Sequence, residues 1–184
     1  MTFNIDDPTT WPLKYPLITH DVGRSNDRST AVVGGTIPYR PGVLGVKEII
    51  ELPQNCYGSA LVSELAVIDR RYNNDCLIIP DLSSDPTYAE ALFDMFGNRV
   101  IGAHIGRHGD GRNFEQRPVR NSVIPVCQVG RTYLFDRLLT DLRTRQIRIK
   151  NGAMAQRLYE QLNSLEVELK ESGKIYKCLP GKHL

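Results

Sequence analysis

The sequence has no long apolar run and few cysteines, and these two absences exclude several classes of protein. No stretch of the 184 residues approaches the roughly 20 apolar residues that a membrane helix needs, so no membrane-spanning helix is expected. The first 16 residues are acidic and proline-rich and contain no apolar core of a secretion signal. The four cysteines lie far apart without any CxxC pair, which argues against a zinc ribbon or a disulfide scaffold and fits a reducing compartment.

The charge is distributed unevenly along the chain. The net charge is only +2, but residues 99–150 contain 11 Lys and Arg against four Asp and Glu, whereas the remainder contains 12 against 17. Such segregation is typical of a basic face for a polyanion. The charge distribution alone is better explained by a solvated, arginine-rich surface, so by itself it only suggests nucleic acid as a candidate partner.

The length predicts one domain, and the residue pattern predicts a mixed α/β fold. Residues 1–16 are interpreted as an extended lead-in or linker, and 17–184 as the domain. Runs of β-branched residues, helical spacing of leucines and Gly or Pro punctuation predict a β-β-β-α-β-α-β order, a mixed central sheet with helices on its faces. The Arg-rich stretch 107–122 is predicted as an exposed loop or ribbon, followed by a helix over 132–145, a short strand and a last amphipathic helix.

Two aspartates follow apolar strands. Asp21 ends LITHD and Asp81 ends CLIIPD, and in this element order the two strands can lie side by side. Adjacent carboxylates repel each other unless a cation lies between them, and their oxygen atoms suit Mg²⁺ or Mn²⁺. Each aspartate taken alone is better explained as a cap of a turn or of the following helix. The pair, together with the strand order and the basic stretch, favours a metal site that acts on phosphate.

Several segments resemble one protein family in their order and spacing. THDVGRSNDRSTAVVGG, LVSELAVIDRRYNNDCLIIPDLSSDPTYAEALFDMFG, GRTYLFDRLLTDLRTRQIRI and the final GKHL are similar to the ribonuclease H-like nuclease domain of tailed-phage terminase large subunits. The resemblance implies a ribonuclease H-like, metal-dependent endonuclease that cuts concatemeric double-stranded viral DNA during genome packaging. It further implies a place in the host cytoplasm at the viral procapsid. Its partners would be the portal protein, the small terminase subunit and the motor's own ATPase domain, whose GxxxxGK[ST] phosphate loop does not occur in these residues.

The resemblance also assigns roles to individual residues. Asp21 matches the first acidic metal ligand and Asp81 the second, while His183 lies where the family places a histidine beside the third acidic ligand. That third ligand is expected beyond Leu184, so the domain is interpreted as ending before its last helix. Phosphate contacts are predicted for five arginines of the basic stretch: Arg107, Arg112, Arg117, Arg131 and Arg137.

Two other functions stay open at this point. One is a non-catalytic DNA-binding domain that uses only the basic face, and the other is a different ribonuclease H-like nuclease such as a resolvase. Asp27 and Asp85 are possible substitute ligands. His20 is excluded as a ligand, because strand alternation places it on the face of the sheet opposite to Asp21.

Overall fold

The computed structural model describes residues 12–23, 28–38, 40–54, 56–83, 88–106, 112–170 and 173–178. The strands are β1 (Lys14–Asp21), β2 (Thr30–Thr36), β3 (Leu44–Glu51), β4 (Leu77–Pro80), β5 (Gly102–Gly106), β6 (Arg112–Val119), β7 (Ser122–Gly130), β8 (Ile147–Ile149), β9 (Leu165–Lys170) and β10 (Gly173–Cys178). The helices are α1 (Gly58–Arg70), α2 (Tyr88–Phe96), α3 (Arg131–Arg143) and α4 (Ala153–Asn163), with a 3-10 turn at Gly97–Arg99. In these ranges no helix combines the length and apolar character needed to cross a membrane.

The main sheet has five strands in the order β4-β1-β2-β3-β8. β1, β2 and β3 form an antiparallel meander, and β4 and β8 add to its two sides in parallel. A parallel partner requires a crossover connection, which α1 supplies between β3 and β4. The mixed α/β sheet predicted from the residue pattern is therefore confirmed.

A second sheet, with the order β5-β7-β6, continues the first one. β5 lies beside β4, because the amide of Ile101 donates to the carbonyl of Ile78 at 2.9 Å and the amide of Leu82 donates to the carbonyl of Ala103 at 2.7 Å. Isolated parallel bridges join the same strands. The strands consequently form one surface that runs from β6 across to β8.

The hydrophobic core lies on one face of this surface, beneath α1 and α2. Alternate strand residues supply it, and Ile18, Val33 and Ile78 are completely buried there. Leu61 and Leu65 of α1 and Leu92 of α2 cover them and are equally buried. On the opposite face, Leu17, Val32 and Ile79 are only partly buried. Burial of each large apolar side chain stabilises the fold by about 1.5–3 kcal/mol. Because the completely buried side chains lie beneath α1 and α2, these helices stabilise the sheet chiefly from one side.

Some local predictions are corrected by the structure. α1 begins at Gly58, and Tyr57 precedes it without a side-chain cap. The helix ends at Arg70, and Asn73 and Asn74 beyond it take the left-handed conformation that asparagine tolerates. Residues 112–130 form the regular hairpin β6–β7, and a second hairpin, β9–β10, was not predicted.

An ion pair joins the end of α1 to the 3-10 turn at Gly97–Arg99, and both partners bond to Cys76 just before β4. The carboxylate of Asp69 is 2 % exposed and lies 2.9 Å from the guanidinium of Arg99. It also accepts a hydrogen bond from the amide of Cys76 at 3.0 Å, and Arg99 donates to the carbonyl of Cys76 at 2.8 Å. Burial beside Asp69 raises the pKa of the Cys76 thiol to about 12, so this cysteine stays protonated.

The hairpin β9–β10 packs on α3. Asp136 of α3 accepts hydrogen bonds from Lys174 and Tyr176, and these bonds lower the pKa of its carboxyl. The ring of Phe135 lies 5.1 Å from that of Tyr176, measured between centroids. The hydroxyl of Thr132 donates to the carbonyl of Lys174 at 3.0 Å, so α3 anchors the hairpin along its first turns.

Candidate functional site

Asp21 and Asp81 lie at the carboxyl ends of neighbouring parallel strands. β1 and β4 pair in parallel as far as His20 and Pro80, and the amide of Asp81 donates to the carbonyl of His20 at 2.8 Å. The next residue on each strand is an aspartate, on the less covered face of the sheet. Neighbouring strands lie about 4.8 Å apart, so the two carboxylates share one edge, which we call the acidic edge.

Ser83 fixes the side chain of Asp81. The amide of Ser83 donates to Oδ1 of Asp81 at 2.8 Å, and its hydroxyl bonds the same oxygen. The amide of Ile105 in turn donates to the Ser83 hydroxyl oxygen at 2.7 Å. Asp81 therefore does cap a turn, as the simpler interpretation of this residue held, and the turn uses only Oδ1. Among the described residues Oδ2 has no hydrogen-bond partner.

His20 lies beneath the acidic edge, on the core side of the sheet. It is 3 % exposed, and burial lowers its pKa to about 4 against the opposing effect of the Asp81 charge. Its ring stands 5.7 Å from that of Tyr88, between centroids. Neither ring nitrogen, nor the Tyr88 hydroxyl, has a hydrogen-bond partner within the described ranges. The predicted placement of His20 opposite to Asp21 agrees with this burial, and the imidazole is neutral at pH 7.

Comparison with solved structures identifies the fold. The human cytomegalovirus terminase nuclease domain, soaked with Mn and inhibitor-bound, aligns with a TM-score of 0.54 and 11% identity over 82% of this chain and 75% of that one. This is the fold of a terminase nuclease domain. The Mn-bound large terminase nuclease domain of bacteriophage SPP1 aligns with a TM-score of 0.49 and 14% identity over 92% and 80% of the two chains. No protein-family model matches the sequence, and the search of curated proteins finds no match.

In this terminase-type fold the predicted arginines are spread over different places. Arg131 is exposed and follows β7 directly, at the same end of the strands as the acidic edge but two strands away from Asp81, because Gly130 pairs with Gly106 at the end of β5. Arg112 opens β6 at the same end of the strands through its pairing with Val129. The side chain of Arg112, and the whole of Arg107, lie outside the described residues.

The other two arginines are ion-paired elsewhere. Arg117 pairs with Ile124 on the face covered by α1 and α2, and its guanidinium lies 3.5 Å from Glu115. Arg137 contacts Asp141 of its own helix at 2.8 Å. The structure therefore brings Arg131, but neither Arg117 nor Arg137, to the same end of the strands as the acidic edge by its backbone position.

The described residues contribute two carboxylates to the acidic edge and no third ligand. No group of three or more His, Cys, Asp or Glu side chains is close enough to hold a metal ion within the described ranges. His183, Asp27 and Asp85, the further predicted candidates, lie outside them. Sequence reasoning missed Ser83, although an aspartate followed two residues later by serine is a recognisable side-chain turn.

Proposed function

We propose that this chain is a metal-dependent endonuclease that cuts double-stranded DNA during viral genome packaging. The observation that carries the proposal is the pair Asp21 and Asp81, on adjacent parallel strands at one edge of a terminase nuclease fold. Two like charges at neighbouring strand ends repel each other, and a cation bound between them relieves that repulsion.

The donor chemistry of the acidic edge fits Mg²⁺ or Mn²⁺. Both ions take oxygen ligands, and both aspartates offer carboxylate oxygens, while the neighbouring His20 is buried on the opposite face of the sheet. Asp21 and Asp81 would hold the metal, and a bound ion of this kind activates water and stabilises a leaving oxygen. Ser83 fixes Asp81 so that Oδ2 remains for coordination. Two ions, as the family resemblance implies, would need a further ligand from outside the described ranges.

The proposal is tested by nicking of supercoiled plasmid with Mn²⁺ or Mg²⁺. Asp21→Asn and Asp81→Asn are each expected to abolish cleavage and to weaken Mn²⁺ binding measured by calorimetry. Asp75→Asn is the matched control, because Asp75 is an exposed aspartate just before β4, at the opposite end of the strand from Asp81. Cleavage that survives both substitutions at the acidic edge contradicts the proposed site.

A second candidate function is DNA binding without cleavage. It is favoured by the finding that the described part of the chain supplies only two carboxylates to the edge. Under this alternative the wild-type protein binds duplex DNA but does not nick plasmid at any metal concentration, and the Asp21→Asn protein binds duplex as tightly as the wild type does. The portal protein, the small terminase subunit and a terminase ATPase domain are proposed partners under either function.

A further inference from the structure

One row of residues crosses the sheet from the acidic edge to an exposed aromatic side chain. Asp81 pairs with Ala103 on β5, Ala103 with Cys127 on β7, and Cys127 with Phe114 on β6. Residues that pair directly across strands point to the same face of a sheet. Phe114 therefore stands on the same face as Asp81, three strands away.

The row ends in a side chain whose exposure the fold does not explain. Phe114 is 63 % exposed, while the residues between it and Asp81, Ala103 and Cys127, are small and partly buried. Gln116, the next residue of β6 on this face, is polar and exposed. The row is thus a surface of small side chains with a carboxylate at one end and an aromatic ring at the other.

The length of the row matches a short stretch of duplex DNA. Three strand intervals of about 4.8 Å give about 14 Å between Asp81 and Phe114. At 3.4 Å for each base pair, this is about four base pairs along a helix axis. A duplex that lies along the row with one phosphate at the acidic edge would therefore also cover Phe114.

We propose that Phe114 is a DNA-contacting residue that packs its ring against the sugars and bases of the duplex about four base pairs from the phosphate held at the acidic edge. Apolar side chains in the minor groove act in this way, and they part or bend the base pairs they touch. The contact does not depend on base sequence, because every base has an aromatic face and every nucleotide a sugar. This inference rests on the proposed nuclease function, since it uses the same edge to place the phosphate.

The first test measures binding without cleavage. A short fluorescein-labelled duplex is titrated with protein in Ca²⁺, and binding is followed by anisotropy. Phe114→Ala is expected to weaken binding by about tenfold, in line with the loss of one aromatic contact, and Phe114→Trp to keep it. Val123→Ala is the matched control, because Val123 is 52 % exposed on the same hairpin but lies four residues along β7 from the row.

A second readout locates the contact. With 2-aminopurine placed at successive positions in the duplex, one position is expected to brighten with the wild type and not with Phe114→Ala. Equal affinities of wild type and Phe114→Ala, with no position that brightens, would overturn the inference and leave the nuclease proposal standing. If Phe114→Ala changes only self-association in sedimentation, the ring contacts protein and the inference is wrong. If the wild type binds no duplex, the proposed function itself fails.

Discussion

Removal of the Asp69 carboxylate should be among the most destabilising single changes in this fold. Asp69 is buried at the end of α1, where it accepts bonds from the Arg99 guanidinium and from the amide of Cys76. Asp69→Ala leaves both donors without this acceptor, and it leaves a partly buried cation, about a third exposed, without its counter-charge. Breaking a buried ion pair from one side costs about 3–5 kcal/mol. Because Arg99 keeps some contact with water, we expect the lower end, about 3 kcal/mol.

The assay is urea unfolding at 25 °C, followed by circular dichroism, with the midpoint and slope fitted together. Such a loss should also lower the melting temperature by roughly 6–12 °C in a domain of this size. Asp75→Ala is the matched control, because it removes an exposed aspartate of the same connection and should cost less than about 0.5 kcal/mol.

A double substitution separates the charge effect from lost packing. The double variant Asp69→Leu with Arg99→Met contains neither charge, so no unpaired charge is buried. It should therefore be more stable than the single variant Asp69→Leu. An Asp69→Ala protein that loses less than about 1 kcal/mol would refute the role given to this ion pair. A double variant no more stable than the single one would show that packing, and not the unpaired guanidinium, dominates.

Two further predictions concern the acidic edge. Burial lowers the pKa of His20 to about 4, whereas its value in the unfolded chain is near 6.5. Between these two pH values the unfolded chain binds a proton at His20 that the folded protein does not bind. The free energy of unfolding should therefore be highest above pH 6.5 and fall by roughly 2–3 kcal/mol between pH 7 and pH 4.5. Urea titrations in EDTA check this, and an equally steep fall in His20→Leu would contradict it. Arg131→Gln should weaken duplex binding and make its salt dependence shallower by about one phosphate contact. Arg137→Gln should change neither quantity, because Arg137 is already paired with Asp141. Identical salt slopes for the two variants would show that Arg131 does not contact the DNA.

The strands of the main sheet were predictable because their apolar patterns are strong and local. Asp21 and Asp81 follow such runs, so the element order sufficed to expect them side by side. The pairing of β5 with β7 was not predictable, since QVG at the end of β7 carries little hydrophobic signal and the polar, Arg-rich residues 107–122 separate the two strands in the sequence. Without that pairing, neither the row to Phe114 nor the separation of Arg117 from the acidic edge could be expected.

The hairpin β9–β10 illustrates a different limit. β9, LEVELK, alternates apolar and charged residues over only six positions, and β10, GKIYKC, does not alternate strictly, so the periodicity signal is short and incomplete. What stabilises the hairpin is a contact distant in sequence, between Asp136 and the side chains of Lys174 and Tyr176. Sequence periodicity carries no information on such a contact.

The hydrogen bond from the Asp81 amide to the His20 carbonyl joins distant parts of the chain, so we expect the acidic edge to form only when β4 docks on β1. The two aspartates are 60 residues apart in the chain, and they meet only after α1 has crossed over and β4 has docked beside β1. Closing so long a loop must precede any gain from the contact. Amide exchange at Asp81 consequently reports whether β4 is docked, and any partial opening that frees β4 dismantles the site while the β1–β2–β3 meander stays intact.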